Sequence, residues 1–385
     1  MNELKPLSFY LHVPFCARHC AYCDFNVYVD RVQSGLVEQT VEATRTDIRR
    51  SAFALKDSYR IETIFFGGGT PTYLSGEALA CLLQTIRDEF EVAPDSEISS
   101  EANPGSSDYY KFEAMRMAGF NRLSIGVQAF DNGLLKNLDR HHSVDEAKQA
   151  LKTARSAGFE NLSLDLMFGL PGQTLSHWEE TLETALGFQT EHLSLYALTL
   201  EPGTRFERLH RGGKLVLPEE DDELEMYENA ISTLIAAGYD HYEVSNFAKP
   251  GFRARHNLTY WRNGEYLGVG PGAVSYLEGA RFKREKLPAK YISKIDSAAD
   301  LYVESESLKP LETLGETIML GLRLREGVSL SALEARFKTD PLQLYSERIE
   351  DLEERGLLEK TDDLIRLTHK GLLLANIASG EFLLD

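Results

Sequence analysis

The sequence predicts an α/β protein: a partial parallel (βα)6 TIM-like barrel over residues 1–245, a connecting segment at 246–300 and a small winged-helix-like α domain at 301–385. Three observations carry that expectation. Six short β-rich runs alternate with longer amphipathic ones, the order that builds a parallel sheet. Polar or glycine-rich groups follow each β-rich run, at the strand ends where such barrels place their active sites. Near residue 300 the alternation gives way to a helical pattern.

The candidate strands are Leu7 to Val13, Thr63 to Phe66, Glu97 to Glu101, Arg122 to Gly126, Leu162 to Met167 and His192 to Leu198. Apolar residues spaced three and four apart mark helices at Leu36 to Ala54, Gly76 to Phe90, Tyr109 to Ala118, Val144 to Ala157 and Leu175 to Phe188. The strand ends carry, in order, Cys16-Ala-Arg-His-Cys-Ala-Tyr-Cys, Gly67-Gly-Gly-Thr-Pro-Thr, Glu101-Ala-Asn-Pro, Gly126-Val-Gln-Ala-Phe, Asp165 ahead of Gly169-Leu-Pro-Gly, and Thr199-Leu-Glu-Pro-Gly. The glycine-rich stretch from Gly264 to Ala273 reads as a tight turn that closes the barrel's open side. Beyond residue 300 come helices at Leu314 to Leu324, Ser329 to Phe337 and Leu342 to Arg355, with Ser329 as an N-cap, then short strands at Leu357 to Lys360 and Ile365 to Thr368. Glu347, Glu350, Asp351, Glu353 and Glu354 along the last of these helices would repel DNA phosphates, so a lid or docking role is expected.

Composition narrows the class. With 385 residues, 43% of them apolar, the chain can bury a large core. A net charge of -19, from 41 Lys and Arg against 60 Asp and Glu, argues against nucleic acid or an anionic membrane as the main partner. No run approaches the roughly 18 apolar residues of a membrane helix, and the start Met1-Asn-Glu-Leu-Lys has no apolar signal segment. A cytoplasmic protein with at most peripheral membrane association is expected.

Three of the four cysteines, Cys16, Cys20 and Cys23, follow the first strand. Three thiolates on a four-iron cube leave one iron open, as catalytic zinc keeps an open position. A disulfide would leave one of these three unpaired; zinc held by the three thiols and His12 or His19 is a rival that spacing leaves open. Cys81 lies on an apolar helix face and reads as a core thiol. Gly67 to Pro71 can bring bare backbone against a ligand or make a plain strand-to-helix turn. Glu101 and Asp165 are ligands for hydroxyl groups or solvated strand ends. His256 is a packed residue or a metal ligand.

The spacing C-x-x-x-C-x-x-C, with Tyr22 before the last cysteine, resembles the cluster signature of the radical S-adenosylmethionine enzymes. The resemblance implies a 4Fe-4S cluster on Cys16, Cys20 and Cys23 and S-adenosylmethionine chelated at the open iron, where one electron yields a 5'-deoxyadenosyl radical. Gly68, Gly69 and Thr70 match the GGTP element that contacts the methionine amino group. Position by position the chain is similar to the coproporphyrinogen-oxidase-like branch. That likeness implies Tyr10 beside the sulfonium, Glu101 on the ribose, and Tyr22, Gln128, Arg140 and Asp165 as further S-adenosylmethionine contacts.

Two departures separate the chain from the oxidases of that branch. They carry a further cysteine two residues after the third ligand, where Phe25 stands here, and a longer N-terminal extension. The motif His256-Asn257-x-x-Tyr260-Trp261 instead resembles the HNxxYW signature of HemW-type haem chaperones. That resemblance implies haem held at His256, Asn257, Tyr260 and Trp261, delivery of haem to apo-haemoproteins such as respiratory enzymes, and a homodimer. Arg253, Arg255 and Arg262 concentrate positive charge where haem propionates could be received. The rival is an enzyme, an oxygen-independent coproporphyrinogen III oxidase that decarboxylates propionates; whether S-adenosylmethionine is cleaved stays open.

Overall fold

In the computed structural model, which describes residues 4–29 and 35–383, six strands lie side by side in sequence order: β1 (Lys5–Val13), β2 (Tyr59–Gly68), β3 (Val92–Ala102), β4 (Arg122–Gln128), β5 (Asn161–Phe168) and β6 (His192–Ala197). Each pairs in parallel with the next. The crossovers hold α1 (Leu36–Leu55), α2 (Gly76–Glu89), α3 (Tyr109–Ala118), α4 (Asn132–Asn137), α5 (Val144–Ser156) and α6 (Leu175–Gly187). Ser75, Asp108 and Asp131 each cap the helix they precede, and Ser143 and Thr174 form capping boxes.

Apart from the bulges in β2 and β4, the strands divide by period two. Phe9, Leu11, Ile64, Phe66, Leu123, Ile125, Leu164, Leu166, Leu193 and Leu195 are at most 1% exposed and join the main core. The residues between them face the concave lumen and are largely polar: Ser8, Tyr10 and His12; Thr63; Glu97, Ser99 and Glu101; Arg122 and Ser124; Ser163 and Asp165; His192, Ser194 and Tyr196. A parallel sheet covered on both faces normally reads as continuous apolar runs. Here only the helix-facing half obeys that rule.

The barrel stays open. After α7 (Arg205–Arg211) and α8 (Glu220–Ala236), strands β7 (Asp240–Glu243) and β8 (Asn246–Ala248) cover the β6 edge in antiparallel fashion. The short helix α9 (Arg255–Trp261) follows. The stretch expected as one tight turn from Gly264 is instead strand β9 (Tyr266–Val269), parallel to β1, with the turn confined to residues 270–273. Glycine permits this: a Cβ on Gly268 would stand 2.1 Å from the Val274 carbonyl oxygen, so no side chain fits where the chain doubles back.

Strands β10 (Val274–Leu277), β11 (Ala280–Arg284) and, after α10 (Pro288–Asp296), β12 (Tyr302–Ser307) complete a 12-stranded sheet. The region beyond 300 therefore opens with a strand, not the expected helix, because Glu304 and Glu306 find cross-strand partners in Lys283 and Arg281. One buried ion pair fastens this extension to α1. The Arg284 Nε donates to Asp47 at 2.8 Å and its Nη2 at 3.1 Å, both side chains being 1% exposed, and the Tyr291 hydroxyl adds 2.7 Å.

The C-terminal part has its own core, built from Leu314, Ile318, Leu333, Tyr345, Ile349, Leu352 and Ile365. Its order is α11 (Pro310–Gly321), β13 (Val328–Ser329), α12 (Leu330–Phe337), α13 (Pro341–Glu354), β14 (Leu358–Lys360), β15 (Leu364–Leu367), α14 (His369–Leu373) and α15 (Ala375–Gly380), with the strands in the order β13-β15-β14. This is a winged-helix arrangement; Ser329 caps α12, and the five acidic residues of α13 are all exposed.

Candidate cofactor-binding site

Pro14 cannot continue the ladder of β1, and the chain turns there into the cysteine loop. Backbone bonds hold that loop: Cys16 N–H donates to Tyr28 at 3.0 Å, while Gly69 N–H and Thr70 N–H donate to Val13 and Phe15, each at 2.8 Å. The glycines fit this zipper closely. Gly68 has φ +107, and a Cβ there would meet the His12 ring at 2.4 Å; one on Gly69 would meet the Phe15 carbonyl oxygen at 2.6 Å. The Thr70 hydroxyl lies 3.3 Å from Cys16 Sγ.

Above the strand ends lies a cavity of about 360 Å³, within the range of roughly 300–1,000 Å³ for small-molecule sites. It is bordered by all three cysteines of the loop and by Tyr22, Gly68, Gly69, Thr70, Glu101, Gln128, Arg140 and Asp165. Eleven residues singled out by sequence are thus brought to one space. Arg140 reaches Cys20 Sγ at 3.7 Å and the Gly126 carbonyl at 2.6 Å. Gln128 projects from a bulge with φ +68, a conformation rare for residues with a side chain. Cys81 borders none of this and is half-buried on α2, at the edge of the packed face and not within it.

Burial pushes the Cys16 thiol up and the Cys23 thiol to about 11, each neighbouring thiol adding to the effect. Such thiols ionise only beside a strong positive charge, which metal ions supply. Among the described residues no three His, Cys, Asp or Glu side chains close on a single ion. A cluster, which spreads its thiolates over separate irons, fits the donor set.

Below this cavity, and sharing Glu101, Asp165 and Tyr196 with it, is an inner chamber of about 240 Å³. Tyr10, Arg122, His256, Asn257 and Tyr260 line it. Burial, with Asp165 nearby, pushes Glu101 up to about 8 although it accepts the Gly68 N–H at 3.2 Å. Asp165 accepts the Ser124 hydroxyl at 2.8 Å, and burial likewise raises it.

Helix α9 plugs the floor of the lumen. Glu97 accepts the N–H groups of Arg255 and His256 at 3.0 and 3.1 Å, replacing the cap the helix lacks. His256 is 1% exposed and burial drives it down to about 3, so it is neutral. Thr63 donates to Ser8, so its oxygen accepts from His256 Nδ1 at 2.8 Å, and Nε2 receives the Tyr260 hydroxyl at 2.9 Å. Both ring nitrogens are engaged, and only Nε2, facing Tyr260, carries a lone pair. Trp261 turns away from the chamber and lies under the Arg323 guanidinium, 4.4 Å from ring centroid to carbon, against the C-terminal part. The basic patch expected at Arg253, Arg255 and Arg262 is neutralised: Arg253 meets Asp240 and Glu326, Arg255 meets Glu62 and Asp95, and Arg262 meets Glu326.

Arg122, Ser124, Ser194 and Tyr196 were not singled out by sequence. Their signal was present in the alternation of polar and apolar residues along β4 and β6, which the short β-rich runs by themselves left unread.

A parallel barrel with cysteine-loop, glycine and carboxylate groups gathered at its strand ends defines the class: residues 10–185 match the radical SAM superfamily, and residues 308–374 match the HemN C-terminal domain. The solved structure of coproporphyrinogen III oxidase (HemN) from Escherichia coli, described as a radical SAM enzyme, superposes with a TM-score of 0.86 at 25% identity over 98% of this chain and 90% of that one. The heme chaperone HemW of Bacillus subtilis is 41% identical over 98% of this chain and 99% of its own length, and that of Escherichia coli is 42% identical over 74% and 75%. The chain belongs to the heme chaperone HemW family.

Proposed function

We propose that this protein is a haem chaperone that binds a 4Fe-4S cluster, S-adenosylmethionine and haem and delivers haem to apo-haemoproteins. The observation that carries the reading is the near full-length identity with HemW chaperones. Cys16, Cys20 and Cys23 would hold the cluster through their thiolates. When bound, the cluster would supply an electron and an open coordination position for S-adenosylmethionine. Around it the chain's own groups orient and shield: Gly68, Gly69 and Thr70 bring backbone and hydroxyl to the methionine end, Glu101 and Asp165 accept from ribose hydroxyls, and Tyr10, Tyr22, Gln128 and Arg140 close the sides. His256 Nε2 is the candidate haem ligand, reached when the Tyr260 hydroxyl turns away, with Asn257 and Trp261 completing the motif. Delivery to respiratory enzymes, a cytoplasmic location, peripheral membrane association and a homodimer belong to the same reading; among the described residues no helix is long and apolar enough to cross a membrane.

The test is the absorption spectrum of anaerobically reconstituted protein before and after haem, followed by transfer to an apo-haemoprotein. Cluster and Soret bands with transfer are expected. In parallel, coproporphyrinogen III and S-adenosylmethionine are supplied under nitrogen; enzymatic formation of vinyl product would replace the chaperone reading with the oxidase one. Phe25, which borders the cavity where oxidases carry a cysteine, supports the first outcome.

A further inference from the structure

Among the described residues the lumen holds a cation that neither the cluster nor S-adenosylmethionine accounts for. Arg122 opens β4, is 2% exposed and lines the inner chamber. Its Nε has no hydrogen-bond partner, and its guanidinium forms no ion pair among the described residues. A cation buried in this way is costly until a counter-charge reaches it. Neither carboxylate on the chamber wall forms an ion pair with it, although Asp165 lies close enough to feel its charge. Asp165 accepts from Ser124, and Glu101 accepts from Gly68 N–H and is held mostly protonated at neutral pH.

The remaining wall offers neutral donors. Asn257 presents an amide, and Ser194 and Tyr260 present hydroxyls. A planar guanidinium matches a carboxylate through two parallel hydrogen bonds. The volume, about 240 Å³, is small beside the roughly 300–1,000 Å³ of most ligand sites; with the Tyr260 hydroxyl in place it admits a short acid or side chain.

We propose that the inner chamber is a carboxylate-binding subsite in which Arg122 receives a short carboxylate, with Asn257 and Ser194 completing its hydrogen bonds. The carboxylate is a free small acid or a propionate arm of haem reaching in from above; only the second source rests on the haem-delivery reading.

The test uses full-length, cluster-loaded protein and two probes. In the first arm propionate is titrated calorimetrically, with propionamide as the uncharged isostere. Saturable propionate binding, no propionamide binding, and about tenfold or greater weakening in Arg122→Met are expected. Equal binding of the two probes, or propionate binding unaltered in Arg122→Met, overturns the proposal. Should Arg122→Met not fold, the comparison of the two probes on the wild type decides. In the second arm haem is compared with its dimethyl ester. An ester that binds more weakly than haem to the wild type, but equally to Arg122→Met, assigns the carboxylate to the porphyrin. Equal affinities, with propionate still dependent on Arg122, assign it to a free acid. A protein that holds propionate through Arg122 yet binds no haem keeps the subsite and removes the chaperone reading.

Discussion

Each of Cys16, Cys20 and Cys23 lines the cavity, whereas Cys81 sits on α2 away from it. Replacing any of the three by Ser is expected to abolish the iron and sulfide content of reconstituted protein, since a hydroxyl is a poor substitute for a soft thiolate. Cys81→Ser retains the full complement, and iron loss there would refute the assignment. Glu101 gives a pH test. Its folded pKa, about 8, stands above the ordinary 4.5, so the folded state holds a proton that the unfolded state releases first. The stability this carboxyl contributes is complete below about 4.5 and is lost as pH rises through about 8. Urea denaturation of cluster-free protein across that window should show Glu101→Gln losing less stability than wild type. Binding of S-adenosylmethionine has the opposite sign: the ionised carboxylate accepts both ribose hydroxyls, so affinity rises toward pH 8 in wild type and stays flat in Glu101→Gln. Changing His256 to Ala is expected to weaken haem retention while S-adenosylmethionine binding persists, because Glu97 still holds the N-terminus of α9; an unaltered haem titration would place the ligand elsewhere.

Among the elements, β9 to β12 are fastened to α1 by a buried ion pair beside the apolar contact of Ala43 with Tyr291 and Ile295. Arg284→Met leaves Asp47 as an uncompensated buried charge and should cost about 3–5 kcal/mol of unfolding free energy, measured by denaturant titration. Adding Asp47→Leu to that variant removes the stranded charge and should recover part of the loss; no recovery would mean that the guanidinium acts through packing. The same elements show how far local pattern reaches. The six parallel strands and their helices were legible because each carries a periodic apolar face that local sequence displays. β9 was not, because its four residues sit among glycines whose spacing reads as a turn; only pairing with β1 makes them a strand. β12 escaped notice for the matching reason, its glutamates being stabilised by cations on β11.

For the molecule as a whole, the core that organises the barrel is built mainly from strand and helix side chains and takes from the cysteine loop only Phe15 and, at its edge, Tyr28. Chelation of iron should therefore leave the far-UV circular dichroism unchanged while abolishing binding of S-adenosylmethionine; loss of helical signal would show that the cluster is also a folding element. The C-terminal part is locked to the barrel through Val244 N–H to Arg323 at 3.1 Å, Arg325 N–H to Tyr242 at 3.0 Å and the Trp261–Arg323 stack. The HNxxYW motif thus spans two environments, His256, Asn257 and Tyr260 in the lumen and Trp261 at the joint. A four-letter signature reads as one site in sequence, but one turn of helix points its letters in different directions.

By itself the sequence determined the barrel class, the grouping of three cysteines after the first strand and the gathering of polar groups at strand ends. Each of these is a short-range pattern whose chemistry follows from residue type and spacing. Tertiary structure alone decided which polar groups share a space. It sank His256 into a neutral hydrogen-bond chain, neutralised the three arginines beside it, and left Arg122 without a partner in the lumen. Those outcomes depend on side chains from separate elements, up to 193 residues apart, meeting in space, and burial sets their charge and availability only after they meet.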